Sequence, residues 1–575
     1  MPTHNKDIAD IFNSVADLLD IRGESQYRVR AYRSAARTIE GLSRSAADMI
    51  EQGEDLSKLS GIGKDLAGKI EQIVDSGRLP LLEQLKADMP GELGDLMRVP
   101  GLGPKRVARL HDELDVTTLD DLEEAAEQGR ISEMEGLGKK TEERIAEEVS
   151  RMQQAPEQRL KLARAEQIAE PLVEYLGEPD DVKDIIVAGS YRRRKETVGD
   201  LDILATCKRG SDIMERFTGY EDVRNVVSKG ETRSTVVLRS GLQVDLRVVP
   251  QVSFGAALQY FTGSKDHSLS LRRIAQKRKL KLNEYGVFKG DERVAGRTEE
   301  EVYAEMGLSY IEPELRENRG EVEAARKKNQ LPDLVTLEDI RGDLHVHTKR
   351  TDGHHAIEEL VAAAGERGYS YIAISDHSQR VTVAHGLKPK QLREQMAEID
   401  AVNRKDTGVT VLKSIEVDIL PDGSLDLPDD VLAELDLTVC SVHSKFDLTR
   451  KQQTKRICKA MENPHFRILG HPTGRLINER EAYDVDMEEI MKTAEETGCV
   501  LELNAHPDRL DLDDTACRMA RDNGVKVAIS TDTHRIDDLA FMRFGIGQAR
   551  RGWLAARDVV NTSRLDELRE LLQKK

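Results

Sequence analysis

Three aspartates in the middle of the chain have the residue type and spacing of a two-metal site. Asp200 and Asp202 flank one leucine, so on a β-strand both carboxylates face the same side. Asp245 lies in the alternating segment LQVDLRVV, which follows a Ser-Gly turn and is typical of a strand. Three carboxylates on adjacent strands can hold two Mg²⁺ or Mn²⁺ ions about 3.5–4 Å apart, which activates an attacking hydroxyl and stabilises a leaving pyrophosphate. These aspartates are therefore the predicted catalytic metal ligands.

The loop that precedes the Asp-x-Asp pair is suited to bind phosphate. Gly189 and Ser190 lie about ten residues before the pair and are followed by a run of cationic residues, 192–195. A serine hydroxyl, the adjacent backbone amides and the guanidinium of Arg193 together suit a triphosphate. A solvated strand edge is the alternative interpretation of Asp-x-Asp, and the phosphate loop beside it favours the metal site.

Histidines concentrate in the C-terminal part of the chain. Of fourteen, only His4, His111 and His267 precede residue 341, which leaves eleven beyond it. Seven short apolar runs in this part each lead directly into a metal-ligand residue: DLHVH, YIAISDH, VLKSIEVD, LTVCSVHS, FRILGHP, CVLELNAH and VKVAISTDTH. A hydrogen-bonded core residue explains one such histidine well, but it does not explain seven equivalent placements. Strand-like runs that alternate with helical stretches predict a parallel barrel, which carries its chemistry at the C-terminal ends of its strands.

Three segments near the N-terminus repeat one pattern, in which an apolar residue and Gly-x-Gly lead into an amphipathic helix: LSGIGKDLAGKI, VPGLGPKRVARL and MEGLGKKTEERI. In a helix-hairpin-helix motif, such glycines bring backbone amides close to a DNA phosphate without reading the bases. For one copy, a packing glycine in a plain helix-turn-helix is an equally good interpretation, but three copies favour DNA binding. The predicted DNA-binding glycines are Gly61, Gly63, Gly101, Gly103, Gly136 and Gly138.

The composition excludes several classes of protein. With 38% hydrophobic and 33% charged residues and no long apolar run, the chain is not expected to have a membrane partner. Its N-terminus lacks the pattern of a secretory signal, so we expect a cytoplasmic protein. The five cysteines form no CxxC pair, which argues against disulfides and cysteine-bound zinc. A net charge of -19 argues against indiscriminate coating of nucleic acid, so DNA contacts should use local basic surface such as residues 265–281.

The aspartate motifs and their surroundings resemble the X family of DNA polymerases, whose palm carries Gly-Ser, then Asp-x-Asp, then a third Asp. The segment QYFTGSKDHSLSLRR, residues 259–273, is similar to the thumb of that family. The resemblance implies that Tyr260, Phe261 and Gly263 contact the sugar and base of the incoming nucleotide, and that Arg272 lies near the template minor groove. Ser268 departs from the asparagine of many relatives, a position that bears on nucleotide selectivity.

The first 90 residues resemble the small lyase domain of the same family. In lyase-active members a helix lysine forms a Schiff base with an abasic sugar, and Lys69 occupies the matching place. Asp65 stands where those relatives have a second lysine. Two interpretations therefore stay open, a 5′-deoxyribose-phosphate lyase with Lys69 as its nucleophile, or a lysine that only binds a 5′ phosphate.

The C-terminal part resembles the PHP (polymerase and histidinol phosphatase) superfamily, whose barrel binds up to three zinc, manganese or iron ions. The resemblance implies nine ligands, His345, His347, Asp352, His377, Glu416, His443, His471, Asp532 and His534. His354 or His355 is an alternative to Asp352. The remaining histidines of this part, His385, His465 and His506, are assigned to packing or substrate contact. A full ligand set implies an active phosphoesterase, in which a metal-bound hydroxide attacks phosphorus.

Together the resemblances cover essentially the whole chain and imply a multidomain α+β and α/β protein. The expected parts are a lyase-like helix-hairpin-helix domain (1–90), a second helix-hairpin-helix domain (91–155), a nucleotidyltransferase palm (156–255), a thumb (256–318), a linker (319–339) and a distorted (β/α)7 PHP barrel (340–575).

The function that this organisation implies is gap filling in DNA base excision repair, with an added 3′-5′ exonuclease, AP endonuclease or 3′-end phosphoesterase activity. A DNA 3′-end hydrolase whose polymerase core mainly holds DNA is the alternative. A scaffold without activity is disfavoured, because two separate sets of metal ligands would have to be coincidental. The expected partners are gapped or nicked double-stranded DNA and dNTPs, and the expected state is a monomer.

Overall fold

The computed structural model describes residues 5–40, 46–59, 61–88, 93–97, 99, 102–134, 137–154, 159–208, 210–327, 330–405 and 407–573. The chain forms two compact units. The N-terminal unit comprises Met1–Arg159 with Gly219–Asn225 and Val237–Leu242, and the C-terminal unit comprises Leu160–Thr218, Val226–Val236 and Gln243–Lys575. Within the described ranges, no helix has both the length and the apolar character needed to cross a bilayer.

The described residues between 5 and 154, which make up most of the N-terminal unit, are helical and repeat one turn three times. In each copy, the backbone amide of the residue between the two glycines donates to the carbonyl three residues earlier and closes a short turn. Ile62 donates to Leu59, Leu102 to Val99 and Leu137 to Met134, at 3.0–3.1 Å. The next helix then begins directly after Gly63, Gly103 or Gly138. The helices are Asn5–Ile21, Gln26–Glu40, Ala46–Glu51, Lys64–Ser76, Pro80–Asp88, Leu93–Leu96, Pro104–Leu114, Leu119–Glu127 and Lys139–Gln154.

A five-stranded sheet carries the three aspartates. Its order is Val182–Val187, Asp200–Cys207, Gln243–Val248, Arg233–Leu238 and Val223–Lys229. The first two strands are antiparallel, and the second and third are parallel. Leu201 and Ile203 are buried, and Asp200 and Asp202 alternate with them. The period of two along the strand therefore places both carboxylates on the opposite face. The helices of this region are Leu162–Gly177, Gly189–Arg192, Ile213–Thr218 and Phe254–Thr262, and a short strand pair joins Leu160–Lys161 to Thr197–Val198.

The next region packs helices on a small antiparallel sheet. Helix Lys265–Lys277 begins at Ser264, whose hydroxyl accepts a hydrogen bond from the amide of His267. The apolar core of this region also contains Trp553, which comes from the C-terminal barrel. The described part of the expected linker packs there too, through helix Glu321–Ala325 and a bridge from Leu334 to Ala555. The strands are Lys281–Asn283, Gly286–Lys289 and Glu292–Ala295, and a further helix is Glu299–Glu305.

The C-terminal part is a parallel barrel. Its strands are Gly342–Val346, Tyr371–Ile374, Thr410–Lys413, Glu416–Asp418, Val439–Ser441, Ile468–Leu469, Val500–Asn504 and Val527–Ser530. Each of the predicted runs is a strand, and the run VLKSIEVD is divided in two at residues 414–415. The first three strands form one sheet and the other five form a second. A parallel bridge from Val346 to Thr533 joins the last strand to the first, and one from His377 to Glu416 joins the two sheets. The helices are Ile357–Glu366, Pro389–Asn403, Asp429–Leu432, Arg450–Met461, Met487–Thr497, Asp514–Asp522, Met542–Arg551 and Leu565–Gln573.

Candidate active sites

The three aspartates of the sheet are brought together by strand register. Asp202 and Asp245 are direct partners on neighbouring parallel strands, and Asp200 follows two residues away on the same face. Asp245 is 7% exposed and accepts hydrogen bonds from Thr235 and, at 3.3 Å, from Arg233. These two contacts orient the most buried carboxylate of the group.

Electrostatics favour a cation at this cluster. Burial and the negative charge of Asp200 raise the pKa of Asp202 to about 6, and Asp245 adds to the repulsion. Oxygen ligands of this kind suit Mg²⁺ or Mn²⁺, and a bound divalent cation would relieve the repulsion. The three carboxylates therefore fit the predicted metal site.

The Gly-Ser loop lies against the aspartates. Gly189 has a φ of +63°, and a Cβ there would lie 3.1 Å from Oδ2 of Asp202. Glycine is thus required both for the backbone conformation and for the close approach. Ser190 follows in the short helix Gly189–Arg192, and the amide of Ala188, just before this helix, donates to the backbone carbonyl of Asp202 at 2.7 Å.

Several of the predicted nucleotide-binding residues contact one another. Nη1 of Arg193 donates to the carbonyl of Thr262 and lies 3.2 Å from where a Cβ of Gly263 would be. The guanidinium of Arg272 lies 5.0 Å from the ring centroid of Tyr260, and the rings of Tyr260 and Phe261 meet edge to face at 5.0 Å. The structure thus joins Arg193 to residues 262–263 and Arg272 to residues 260–261.

The sequence analysis did not identify a buried ionic group that adjoins these residues. Arg192 makes a two-pronged contact with Glu299 at 3.0 and 2.7 Å, and Glu299 also accepts from Arg316 at 2.5 Å. Arg316 is fully buried against the ring of Tyr303, 5.2 Å away. Burial alone would raise the pKa of Glu299, but the charges of Arg316 and Arg192 lower this pKa to about 2. The carboxylate therefore stays ionised.

In the N-terminal unit, Lys69 lines a pocket of about 670 Å³ together with Arg28 and Tyr32. Its ammonium pairs with Asp65 and lies 5.8 Å from the ring centroid of Tyr32. Tyr27 at the rim of the pocket is 86% exposed. A cationic pocket with an exposed ring beside it suits the end of a DNA strand.

The repeated turns leave space beside their second glycines. Among the described residues, a Cβ added at Gly63, Gly103 or Gly138 would meet no atom within 4 Å, whereas one at Gly61, which has a φ of +75°, would lie 2.6 Å from Oγ of Ser34. Open space at a helix N-terminus allows a phosphate to reach the backbone amides. Gly101 and Gly136 lie outside the described residues.

Seven of the nine predicted ligands of the barrel lie at, or within four residues after, the C-terminal end of a strand, whereas Glu416 is the first residue of the strand Glu416–Asp418 and Asp352 lies in the loop after Gly342–Val346. Eight of the nine form three overlapping groups in which the ligand atoms are within 4.8 Å of one another. The groups are His347, Asp352, His377 and His534; His345, His347 and Asp532; and His377, Glu416 and His443. His347 and His377 each belong to two groups, as expected where neighbouring ions share a site.

The ninth ligand and the alternatives to Asp352 are also located. Nε2 of His471 lies 2.9 Å from Oε1 of Glu416, so it adjoins the third group. Asp352 reaches His377 at 3.2 Å, His534 at 3.5 Å and His347 at 3.6 Å. His354 and His355 belong to none of the groups formed by the described residues.

Buried histidine nitrogens without hydrogen-bond partners among the described residues suit the barrel site to metal ions. Nε2 of His345 and both ring nitrogens of His347 are buried and make no hydrogen bond to any described residue. Burial and the neighbouring His534 and His377 lower the pKa of His347 to about 3, so this imidazole is neutral, the form that binds a metal. Histidine and carboxylate donors of this kind suit Zn²⁺, Mn²⁺ and Fe²⁺.

The remaining histidines are placed apart from these groups. His385 is exposed in a loop, and His465 offers its backbone carbonyl to Thr438 at 2.6 Å. The ring of His506 packs edge to face on Phe541 at 5.0 Å.

Glu502 is a residue of the barrel site that the sequence interpretation missed. Its Oε1 lies 2.7 Å from Nδ1 of His345, and its Oε2 accepts from the amide of His471 at 2.7 Å. A carboxylate on the far nitrogen of a metal-binding histidine fixes the ring and its tautomer. The signal was a charged residue inside the apolar strand Val500–Asn504.

We expect Glu502→Gln to weaken Mn²⁺ binding at the barrel about 10- to 100-fold, because His345 loses the carboxylate that orients it. Isothermal titration of the metal-free protein with Mn²⁺ measures the change. Glu496→Gln, which alters an exposed carboxylate of the preceding helix, is the matched control and should bind as the unmodified protein does. Equal affinities for the two variants would refute the role of Glu502.

Comparison with family models follows the same division of the chain. The matches are to a helix-hairpin-helix domain (residues 3–79), a SAM-like helix-hairpin-helix tandem (93–151), the DNA polymerase beta palm (161–260), the DNA polymerase beta thumb (257–317) and the PHP domain (343–506). The aspartates lie within the palm match. Seven of the nine predicted barrel ligands, and Glu502, lie within the PHP match, whereas Asp532 and His534 follow it.

Three relatives cover different parts of the chain. The DNA polymerase/3′-5′ exonuclease PolX of Bacillus subtilis is 38% identical over 575 residues, which cover 99% of this chain and 100% of the relative. A probable phosphatase of Thermoanaerobacter sp. is 28% identical over 247 residues, 40% of this chain and 94% of the relative. DNA polymerase lambda of Arabidopsis thaliana is 27% identical over 350 residues, 55% of this chain and 62% of the relative.

Proposed function

Because the chain belongs to the family of the DNA polymerase/3′-5′ exonuclease PolX, we propose that it is a DNA polymerase that fills short gaps and trims 3′ ends at two separate metal sites. The observation that carries the polymerase half is the register of Asp202 with Asp245 beside the Gly-Ser loop. DNA and dNTPs are its substrates, and we propose gapped or nicked duplexes, met during base excision repair in the cytoplasm, as the DNA.

In the polymerase site we propose Asp200, Asp202 and Asp245 as ligands of two Mg²⁺ or Mn²⁺ ions. Such ions, when bound, activate the 3′ hydroxyl and stabilise the leaving pyrophosphate. Ser190, the loop amides and Arg193 bind the triphosphate, and Thr235 and Arg233 hold Asp245 in position. The rings of residues 260–261 and the backbone of Gly263 place the sugar and base, with Arg272 toward the template.

In the barrel we propose up to three Zn²⁺, Mn²⁺ or Fe ions, held by the nine ligands. These ions, when bound, supply a hydroxide nucleophile and neutralise charge on the leaving oxygen. Glu502 orients His345, and Asp418 accepts from the amide of His443 at 3.1 Å. Arg509, whose Nε lies 3.5 Å from Oδ2 of Asp532, adds a positive charge beside the ligands for the DNA phosphate.

The proposal is tested on a duplex with a one-nucleotide gap, labelled at the primer 5′ end, with Mn²⁺ or Mg²⁺. We expect extension by one nucleotide when the complementary dNTP is present and stepwise shortening of the primer when dNTPs are withheld. Shortening without any extension would favour the alternative, a hydrolase whose polymerase core mainly binds DNA. A cut at an internal abasic site, or release of phosphate from a 3′-phosphate end, identifies the other phosphoesterase activities.

The pocket at Lys69 supports binding of a DNA 5′ end. We expect Lys69→Ala to lower the affinity for gapped DNA with a 5′ phosphate about threefold to tenfold, because the phosphate loses a charge-assisted contact. Fluorescence anisotropy with matched 5′-phosphate and 5′-hydroxyl duplexes measures the difference. The 5′-hydroxyl duplex is the control, and an equal loss for both would contradict the assignment.

A second experiment on Lys69 distinguishes the lyase interpretation of this domain from the phosphate-binding one. Reduction with borohydride in the presence of an incised abasic site traps a Schiff base. An adduct that disappears in Lys69→Ala assigns a 5′-deoxyribose-phosphate lyase to the chain. The pairing with Asp65 favours the other interpretation, in which the charged ammonium binds phosphate only.

We further propose that the chain acts as a monomer, with domain limits at the positions expected from the sequence. The family-model matches support this division, since none of the five crosses an expected limit by more than a few residues. Light scattering of the purified protein tests the state of association.

A further inference from the structure

The side chain of Arg193 is hydrogen-bonded to the carboxylate of Glu317, a residue that belongs to none of the sequence motifs. Its Nε donates to Oε1 of Glu317 at 3.0 Å, while its Nη1 donates to the carbonyl of Thr262. Arg193 and Glu317 are 12% and 14% exposed, so both lie largely away from solvent. Of the three guanidinium nitrogens, Nη2 takes no part in these two bonds.

The same carboxylate is bound by the C-terminal barrel. Nη1 of Arg551, the last residue of helix Met542–Arg551, donates to Oε1 of Glu317 at 2.9 Å and to the backbone carbonyl of Arg193 at 2.8 Å. Nη2 of Arg551 donates to Asp514 at 2.5 Å, and Arg551 is 3% exposed. One guanidinium of the barrel therefore fixes both the partner and the main chain of Arg193.

The charged groups are paired, since the guanidiniums of Arg193 and Arg551 both bond Glu317. Although burial alone would raise it, Arg193 and Arg551 lower the pKa of Glu317, so the carboxylate stays ionised. Asp514 is shared in the same way, because Nη1 of Arg319 lies 3.1 Å from the Oδ2 that also accepts from Arg551. A planar guanidinium that is held at Nε and Nη1 has its plane fixed, which leaves the orientation of Nη2 determined in advance.

We infer that Glu317 and Arg551 are positioning residues for the incoming nucleotide, so that the barrel domain contributes to the nucleotide site of the polymerase. The inference rests on the proposed function, in which Arg193 binds the triphosphate. In this proposal Glu317 and Arg551 act through Arg193 and do not themselves bind the nucleotide. Each acts by holding the guanidinium of Arg193 in the orientation that meets phosphate, which removes the cost of ordering it on binding.

A neighbouring ion pair provides a matched control. Arg550 donates from Nε to Oε1 of Glu314 at 2.8 Å, so it joins the same helix of the barrel to the same segment of the thumb. This pair has the residue types of the first, and Arg550 contacts Glu312, Glu314 and the carbonyl of Val335. Loss of the Arg550 pair therefore perturbs the interface between the domains without releasing Arg193.

The test is single-nucleotide insertion into gapped DNA by the full-length protein, with kcat and the KM for dNTP measured separately. We expect Glu317→Gln and Arg551→Gln to raise the KM for dNTP roughly threefold to tenfold, with kcat changed less than about twofold. Glu314→Gln should leave both constants unchanged. A KM for Glu317→Gln equal to that of Glu314→Gln overturns the inference.

Two further measurements separate this inference from its premise and from a general loss of stability. Arg193→Ala should raise the KM for dNTP, and adding Glu317→Gln to it should raise the KM no further, because the residue to be positioned is gone. If Arg193→Ala leaves the KM unchanged, the proposed role of Arg193 fails. If Arg193→Ala raises it and Glu317→Gln does not, only the positioning role fails. A variant that loses thermal stability and kcat with an unchanged KM also counts against positioning.

Discussion

Asp202→Ala will abolish nucleotide insertion, with a loss of about a thousandfold or more in kcat, equivalent to about 4 kcal/mol of transition-state stabilisation. Asp202 is the central carboxylate, partnered with Asp245 in strand register and with Asp200 on its own strand. Its removal leaves two ligands for two cations, and neither the hydroxyl nor the pyrophosphate is then stabilised. Insertion of a labelled dNTP into a one-nucleotide gap measures the effect.

Shortening of the primer provides the internal control for that variant. The barrel ligands share no hydrogen bond with the three aspartates among the described residues, so 3′ trimming by Asp202→Ala should match that of the unmodified protein. Asp184→Asn, on the adjacent strand of the same sheet but outside the site, should extend normally. Equal extension by Asp202→Ala and the unmodified protein would show that these aspartates do not perform the polymerase reaction.

His345→Ala should remove 3′ trimming by a comparable factor and leave gap filling intact. His345 is fully buried, and its Nε2 lies 3.5 Å from Asp532 and 3.6 Å from Glu416, between two of the ligand groups. The substitution removes a metal ligand and also leaves Glu502 buried without its histidine partner. Degradation of a labelled single strand with Mn²⁺ and no dNTP measures the loss.

The control for His345→Ala is His385→Ala, which alters an exposed histidine of the same domain. It should trim at the rate of the unmodified protein. Trimming that persists in His345→Ala would remove the barrel from the reaction and place the nuclease elsewhere in the chain. Loss of extension together with trimming would instead point to unfolding, which a thermal melt of the variant detects.

The sequence was sufficient to predict the family, the fold class and the two-part activity, and the comparisons confirm these predictions. These predictions rested on short sequence patterns. Asp-x-Asp is recognised from the period of a strand, Gly-x-Gly from the start of a helix, and the barrel ligands from their position at the end of each apolar run. The individual site residues stay predictions, although the structure brings most of them together.

The contacts that support those residues could not be predicted from local pattern. Glu502 and His345 are 157 positions apart, and Arg551 and Arg193 are 358 apart. Each is one charged residue among many in a chain that is 33% charged, and only the folded arrangement selects its partner. Glu317 is of the same kind, since it lies in a stretch that reads as an ordinary solvated loop.

The barrel site needs residues from both the first and the last strand, so loss of the C-terminal end of the chain removes part of this site. His347 lies just after the first strand and Asp532 just after the last, and the bridge from Val346 to Thr533 joins the two ends. During synthesis, the aspartates at 200–245 leave the ribosome long before residue 534 does. A product that ends before residue 532 therefore keeps Asp200, Asp202 and Asp245 but lacks two predicted barrel ligands, and it also lacks Arg551 and Trp553, which contact the palm and thumb. Early termination would thus remove the 3′-trimming site together with the contacts that the barrel makes to Arg193.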